Sequence, residues 1–234
     1  MIDGILLINK EKGITSYDVI RKLKKIFPRE QKIGHAGTLD PFAGGLLIVL
    51  LGKGTKLMNT IGKLEKKYIV TAEFGYATDT QDSTGKKIFT HSELSKITRE
   101  KIEEKLTEKF LGEIDQTPPL YSAKKVKGKK AYELAREGKA VVLNPRKIFV
   151  KEFNILDYNW PFVKFEIICS SGTYIRTLID DLGKSLGTFA TAVDLDRISI
   201  GGYNVKEAFN SKDITMENKE LILETVINLE DIQL

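Results

Sequence analysis

The densest concentration of residues able to do chemistry is Gly34-His35-Ala36-Gly37-Thr38-Leu39-Asp40-Pro41-Phe42-Ala43-Gly44-Gly45. Glycines let a backbone bend and approach a ligand closely, and a proline biases the residue before it, here Asp40, towards an extended conformation. Such a segment can aim one carboxylate into a cleft, as a nucleophile or as an electrostatic partner for a developing cation. The same residues also suit a tight connection with Asp40 as an ordinary turn residue, and composition leaves both readings open. The spacing does not match a phosphate-cradling G-x-x-x-x-G-K-[ST] loop, and Gly52-Lys53-Gly54-Thr55 is too short for one. With His91 the only other histidine and Cys169 the only cysteine, no multi-ligand metal cluster assembles around His35, and neither a disulfide nor a zinc site is expected.

A second group of residues suits a polyanionic partner. Between Tyr121 and Lys151 there are ten Lys or Arg and two Glu, net +8, whereas residues 205–234 carry three Lys and seven acids, net −4. Lys124, Lys125, Lys127, Lys129, Lys130, Arg136, Arg146 and Lys147, interleaved with Tyr121 and Tyr132, form the candidate footprint for nucleic-acid phosphates. The whole chain is only modestly basic, at +5. Its 234 residues, 41% apolar and 29% charged, are ordinary for a globular protein with a substantial core. No apolar run reaches bilayer-spanning length, and MIDGILLINKEKG lacks the basic leader and cleavage site of a secretory signal, so the cytoplasm is the expected location.

The elements that must position these residues follow from periodicity. Gly4–Asn9 reads as a buried strand. Thr15 or Ser16 caps a helix carrying Val19, Ile20, Leu23, Ile26 and Phe27 on one stripe, stopped by Pro28. A glycine-rich loop from about Gly34 to Gly45 leads into LLIVLLG, expected as a central strand. Residues 67–74 form a strand with Tyr68, Val70, Ala72 and Phe74 on one face, and TDTQDSTGK is loop and turn. Thr98 opens a helix with Ile102, Leu106 and Phe110 that Gly112 ends, and a third helix spans about Lys130 to Glu137. Strands at about 148–156 and 162–170 precede an amphipathic helix from Tyr174 to Leu186, with Gly187 beyond it. This irregular alternation predicts an α+β fold with a mainly antiparallel sheet in a single domain.

Taken in order, the motifs resemble those of the TruB family of tRNA pseudouridine synthases. GHAGTLDPFAGGLL is similar to the family's catalytic signature and GILLINKEKGITSYDVI to its N-terminal motif. KKYIVTAEFGYATDTQDSTG is similar to its tyrosine-bearing strand and loop, and PPLYSAKKVKGKKAYELAREG to its basic segment. SSGTYIRTLIDDLG and LDRISIGGY are similar to two further motifs, so the resemblance covers about residues 4 to 204. It implies a pseudouridine synthase fold, with a mixed sheet flanked by helices and loops and an active-site cleft across the sheet. Asp40 falls on the catalytic aspartate, His35 on the histidine that extrudes and holds RNA, and Tyr68 on the tyrosine that stacks on the target base. Tyr174, Arg176 and Leu195 fall on pocket positions. Tyr174 is placed by analogy to accept or relay the C5 proton, Arg176 to partner Asp40, and Leu195 to wall the uracil.

The implied reaction converts a T-loop uridine of tRNA, at position 55, to pseudouridine. It breaks the N1–C1′ bond, turns the uracil, joins C5 to C1′ and removes the C5 proton. No electrons are gained or lost, so no redox cofactor or metal is expected. Extruding the base costs a few kcal/mol, which stacking and hydrogen bonding in a pocket must recover. The chain departs from the family pattern at Lys10-Glu11, where Lys-Pro is usual, and at Asp196-Arg197, where two arginines are usual. Residues 1–204 are expected as the catalytic domain and 205–234 as a short helix-and-strand extension packed on it, too short for a complete PUA domain. A monomer without an obligate protein partner is the simplest expectation. A tRNA-folding factor, a guide-RNA-dependent pseudouridine synthase subunit and a uracil-releasing glycosylase are the competing functions.

Overall fold

The computed structural model describes residues 1–121, 125–126, 129–130 and 143–233. In chain order the elements used below are β1 (Gly4–Lys10), α1 (Ser16–Leu23), β2 (Ile33–Ala36), β3 (Gly44–Leu51), α2 (Met58–Lys63), β4 (Lys66–Phe74), β5 (Tyr76–Thr78) and β6 (Lys87–Thr90). There follow α3 (Arg99–Lys109), β7 (Gly112–Gln116), β8 (Lys125–Val126), β9 (Lys129–Lys130), β10 (Arg146–Asn159), β11 (Phe162–Cys169) and α4 (Ile175–Ser185). The last are β12 (Ala190–Ile200), β13 (Tyr203–Asn204), β14 (Phe209–Asn210), α5 (Lys219–Glu224) and β15 (Ile227–Asn228). The architecture is α+β. Most of the strand pairings are antiparallel, with parallel pairs at β1/β14 and β3/β12. The chain forms two compact units, the first from residues 1–69 with 195–234, the second from 70–194.

In the first unit, β3 is buried along its whole length because it is covered on both faces. Alternate residues of β1 and β3 feed two different cores. Leu6, Ile8, Leu47, Val49 and Leu51 pack with Val19, Ile20 and Leu23 of α1, while Ile5, Leu7, Leu46, Ile48 and Leu50 pack with Ala36 and Ile61. A continuous apolar run is what a strand buried on both faces requires. One edge of β3 carries β1 in antiparallel register from Gly4↔Leu51 to Lys10↔Gly45. On the opposite edge β2 pairs with Ile48–Leu51 and β12 runs parallel at Gly44–Gly45. The N-terminus of α1 is fixed by a full capping box, in which the Thr15 hydroxyl accepts from the Asp18 amide at 3.1 Å and the Asp18 carboxylate accepts from the Thr15 amide at 2.7 Å.

In the second unit, β11, β10 and β7 lie side by side in antiparallel pairing. Helix α3 begins at its Thr98 cap and buries Ile102 and Leu106. Phe110, Phe153 and Phe165 meet edge to face, with ring centroids 6.2 and 5.2 Å apart. Helix α4 is buried nearly all round, including Arg176, Thr177 and Asp180. Strand β4, whose residues belong to both units, shows the strict alternation expected of it, with Lys66, Tyr68, Val70, Ala72 and Phe74 inward.

The structure corrects several boundaries. The supposed loop from Gly34 contains strand β2, so His35 sits in a ladder opposite Val49, and only residues 37–43 form a connection. Helix α1 ends at Leu23 and continues as turns to Phe27, well short of Pro28, although Ile26 and Phe27 are buried as expected. Of the two strands after the basic segment, the first is longer than expected, at 146–159, and the second, at 162–169, ends one residue early. The expected helix at 130–137 falls almost wholly outside the described residues, as do Lys124, Lys127 and Arg136; the backbone of Lys125, Lys129 and Lys130 lies in the small β8/β9 hairpin.

Candidate active site

The connection carrying Asp40 is held by main-chain and side-chain bonds along its length. The buried Ser16 hydroxyl accepts from the Leu39 amide at 2.9 Å and donates to the Leu39 carbonyl at 3.2 Å. The Gly13 amide donates to the Pro41 carbonyl at 2.7 Å, and the Ala43 amide to the Asp40 carbonyl at 3.1 Å. Asp40 itself is half-buried. Its backbone is therefore fixed on both sides of a half-buried residue, as the positioning of a directed nucleophile or charge-stabilising group requires.

Arg197 and Lys10 are two of the buried cations of the same unit. Arg197, 1% exposed, donates from Nε to the Leu46 carbonyl at 2.7 Å and from its terminal nitrogen to the Gly37 carbonyl at 3.0 Å. Lys10, also 1% exposed, donates to the carbonyls of Ile14 at 2.7 Å and Glu11 at 2.9 Å. Burial pushes the Lys10 ammonium down to about 8, against the favourable charge of Asp40 and with the Arg197 guanidinium adding to the depression. Burial, and then Arg197, likewise hold His35 below the usual imidazole range, so its ring is neutral near pH 7. Its Nδ1 is shielded from solvent and has no hydrogen-bond partner among the described residues. Tyr68 and Leu195 are both buried, on β4 and β12.

The second unit positions Tyr174 and Arg176. Tyr174 is the residue before α4, and the buried Gln116 side chain pairs with its main chain on both sides, accepting from its amide at 2.8 Å and donating to its carbonyl at 2.9 Å. The Arg146 guanidinium stacks over the Tyr174 ring at 4.8 Å. Arg176 donates to the carbonyls of Thr80 and Tyr121 and lies 3.5 Å from the Asp82 carboxylate, both charged groups being buried. Asp82 in turn accepts from the hydroxyls of Thr80 and Thr84 at 2.8 and 2.6 Å and from the Thr84 amide at 2.9 Å. Gln81, in the left-handed region at φ 63°, is pinned to α4 by Thr177 and Asp180, each at 2.8 Å. The segment TDTQDSTG thus acts as a scaffold for Arg176.

Sequence reasoning singled out His35, Asp40, Tyr68, Tyr174, Arg176 and Leu195 but passed over Lys10, Asp82, Gln116 and Arg197 as working parts. Lys10 and Arg197 stand next to the two departures from the family pattern. What hid them is that an isolated Lys or Arg defaults to the surface.

With this geometry in view, the relatives are informative. The model of the family described as "TruB family pseudouridylate synthase (N terminal domain)" matches residues 24–175. The chain is 47% identical over 205 residues to tRNA pseudouridine synthase B of Fusobacterium nucleatum subsp. nucleatum, covering 88% of this chain and 70% of that one. It is 48% identical over 218 residues to tRNA pseudouridine synthase B of Endomicrobium trichonymphae, covering 93% and 94%. Among solved structures, a chain of a Cbf5–Nop10–Gar1 complex superposes with a TM-score of 0.74 at 26% identity, covering 97% of this chain; the chain spans 60% of that one. Among the described residues, no helix is long and apolar enough to cross a membrane. The matched segment contains the whole connection that carries Asp40, and the chain belongs to the TruB family of pseudouridylate synthases.

Proposed function

We propose that the protein isomerises one uridine in the T-loop of tRNA, at position 55, to pseudouridine, with Asp40 as the catalytic residue. The observation that carries this reading is the family match across GHAGTLDPFAGG, together with relatives named tRNA pseudouridine synthase B at 47% and 48% identity. Asp40 serves as nucleophile or as the anion facing the cation-like sugar while the N1–C1′ bond breaks and C5 joins C1′; the C5 proton leaves last. Substrate binding falls to His35, Tyr68, Tyr174, Arg176 and Leu195. A neutral His35 is unsuited to carrying a charge and serves in holding the RNA. Lys124, Lys125, Lys127, Lys129 and Lys130 supply phosphate contacts, which give affinity and orientation. Residues 1–204 act as the catalytic domain with 205–234 packed on it, and the enzyme works in the cytoplasm as a monomer, without cofactor or obligate partner.

The test is to incubate purified protein with an unmodified tRNA transcript and map pseudouridine. Conversion of one T-arm uridine is expected without guide RNA, and Asp40→Ala abolishes it while tRNA binding persists. Turnover near wild type in Asp40→Ala refutes the assignment. Activity only with an added guide RNA favours the guide-dependent reading, and release of free uracil indicates a glycosylase.

A further inference from the structure

We infer that Arg197 is the positioning residue of the catalytic connection, fastening both of its ends through one guanidinium; this rests on the reading of Asp40 given above. The two carbonyls Arg197 engages, Gly37 and Leu46, bracket the segment that contains Asp40. A planar guanidinium can hold two separated acceptors in a fixed mutual geometry, which the single nitrogen of a lysine cannot.

The glycines of the motif fit this role. Gly45 lies at φ +97°, in parallel register with Arg197, and a Cβ there would overlap the Arg197 main chain. Gly37 lies at φ +87°, and a Cβ there would stand 3.5 Å from an Arg197 terminal nitrogen. One end of the connection therefore closes on the backbone of Arg197 and the other on its side chain. At 1% exposure the guanidinium is almost withdrawn from water, a placement that disfavours a charged group unless its donors are satisfied. A structural anchor for β12 alone would need only one of these contacts. Engagement of both ends fixes the span and hence the direction of the carboxylate between them.

The test compares wild type, Arg197→Lys and Asp40→Ala on the unmodified tRNA transcript. Arg197→Lys is expected to lose about 10²-fold in kcat, as misplacing a reacting group by about 1 Å does, with KM and tRNA affinity unchanged. Amide exchange should quicken in residues 38–46 and stay unchanged in β1. If Asp40→Ala is inactive but Arg197→Lys keeps wild-type kcat, the positioning role is overturned and the Asp40 reading stands. An equal loss of kcat and tRNA binding in Arg197→Lys also overturns it, since that marks general damage. Activity in Asp40→Ala removes the functional reading and this inference with it. Should Arg197→Lys fail to fold, Gly37→Ala perturbs the same end of the connection with Arg197 retained: reduced kcat with intact binding supports the role, and wild-type kcat overturns it.

Discussion

Lys10 should make stability depend on pH in an unusual direction, and Lys10→Met isolates the effect. The ordinary lysine value of 10.5 applies to the unfolded chain, while burial brings the folded value to about 8. Below about pH 8 the group is charged in both states, so the difference between the two proteins is flat. Between about 8 and 10.5 the unfolded state holds a proton that the folded state has released, so unfolding takes up protons and stability rises with pH. The interval corresponds to about 3 kcal/mol, approached at about 1.4 kcal/mol per pH unit. Urea unfolding of wild type and Lys10→Met, at constant ionic strength from about pH 7.5 to about pH 10, measures it. Loss of the hydrogen bonds to Glu11 and Ile14 offsets the variant by a constant and leaves the slope untouched. Because Asp40 is the foremost influence favouring the charged form, the rise should begin at lower pH in an Asp40→Asn background. A flat difference across the whole range refutes the buried, depressed lysine, and an onset that ignores Asp40→Asn refutes its coupling to the carboxylate.

Thr15→Ala removes the hydroxyl that caps α1 and should lower stability by about 1 kcal/mol, read as a shift in the urea midpoint. Asp181 is pushed up to about 6 from 3.8 by burial and then by the neighbouring Asp180 charge, so its contribution is fully present below about pH 3.8 and lost as pH rises through about 6. Asp181→Asn should therefore stabilise the protein by about 2 kcal/mol at neutral pH, with the full linkage discounted for partial exposure, and by less than about 0.5 kcal/mol near pH 4. Denaturant melts at those two pH values check both numbers.

Much of the scaffold was legible because its periods are simple. The alternation in KKYIVTAEF matched β4 residue by residue, and the amphipathic run before Gly187 located α4 to within a residue at each end. Strand β2 was not legible: IGHA is four residues long, shows no apolar alternation and lies beside glycines that suggest a loop. Its identity comes from the long-range ladder with Val49 and its neighbours. The end of α1 was misplaced because Ile26 and Phe27 continue the apolar stripe, although the backbone carrying them has already become turns. In the candidate site, residue types pointed to Asp40 and His35, whereas the support from Ser16, Gln116 and Arg197 depends on side chains reaching main-chain groups far away in sequence, and that from Asp82 on a side chain 94 residues away at Arg176. Local patterns carry no signature of such bonds.

The position of β1 has a consequence for how the molecule is made. One edge pairs with β3, synthesised soon afterwards, but its other partners are β14 and β15, with Ile8 opposite Phe209 and Ile5 opposite Ile227. At bacterial or eukaryotic elongation speeds the intervening chain takes about 10 to 40 s to emerge from a ribosome. All of residues 70–194 is translated in that interval, so the second unit has its complete sequence while the first is still waiting for its closing strands. The free edge of β1 is then open to pairing with a neighbouring nascent chain.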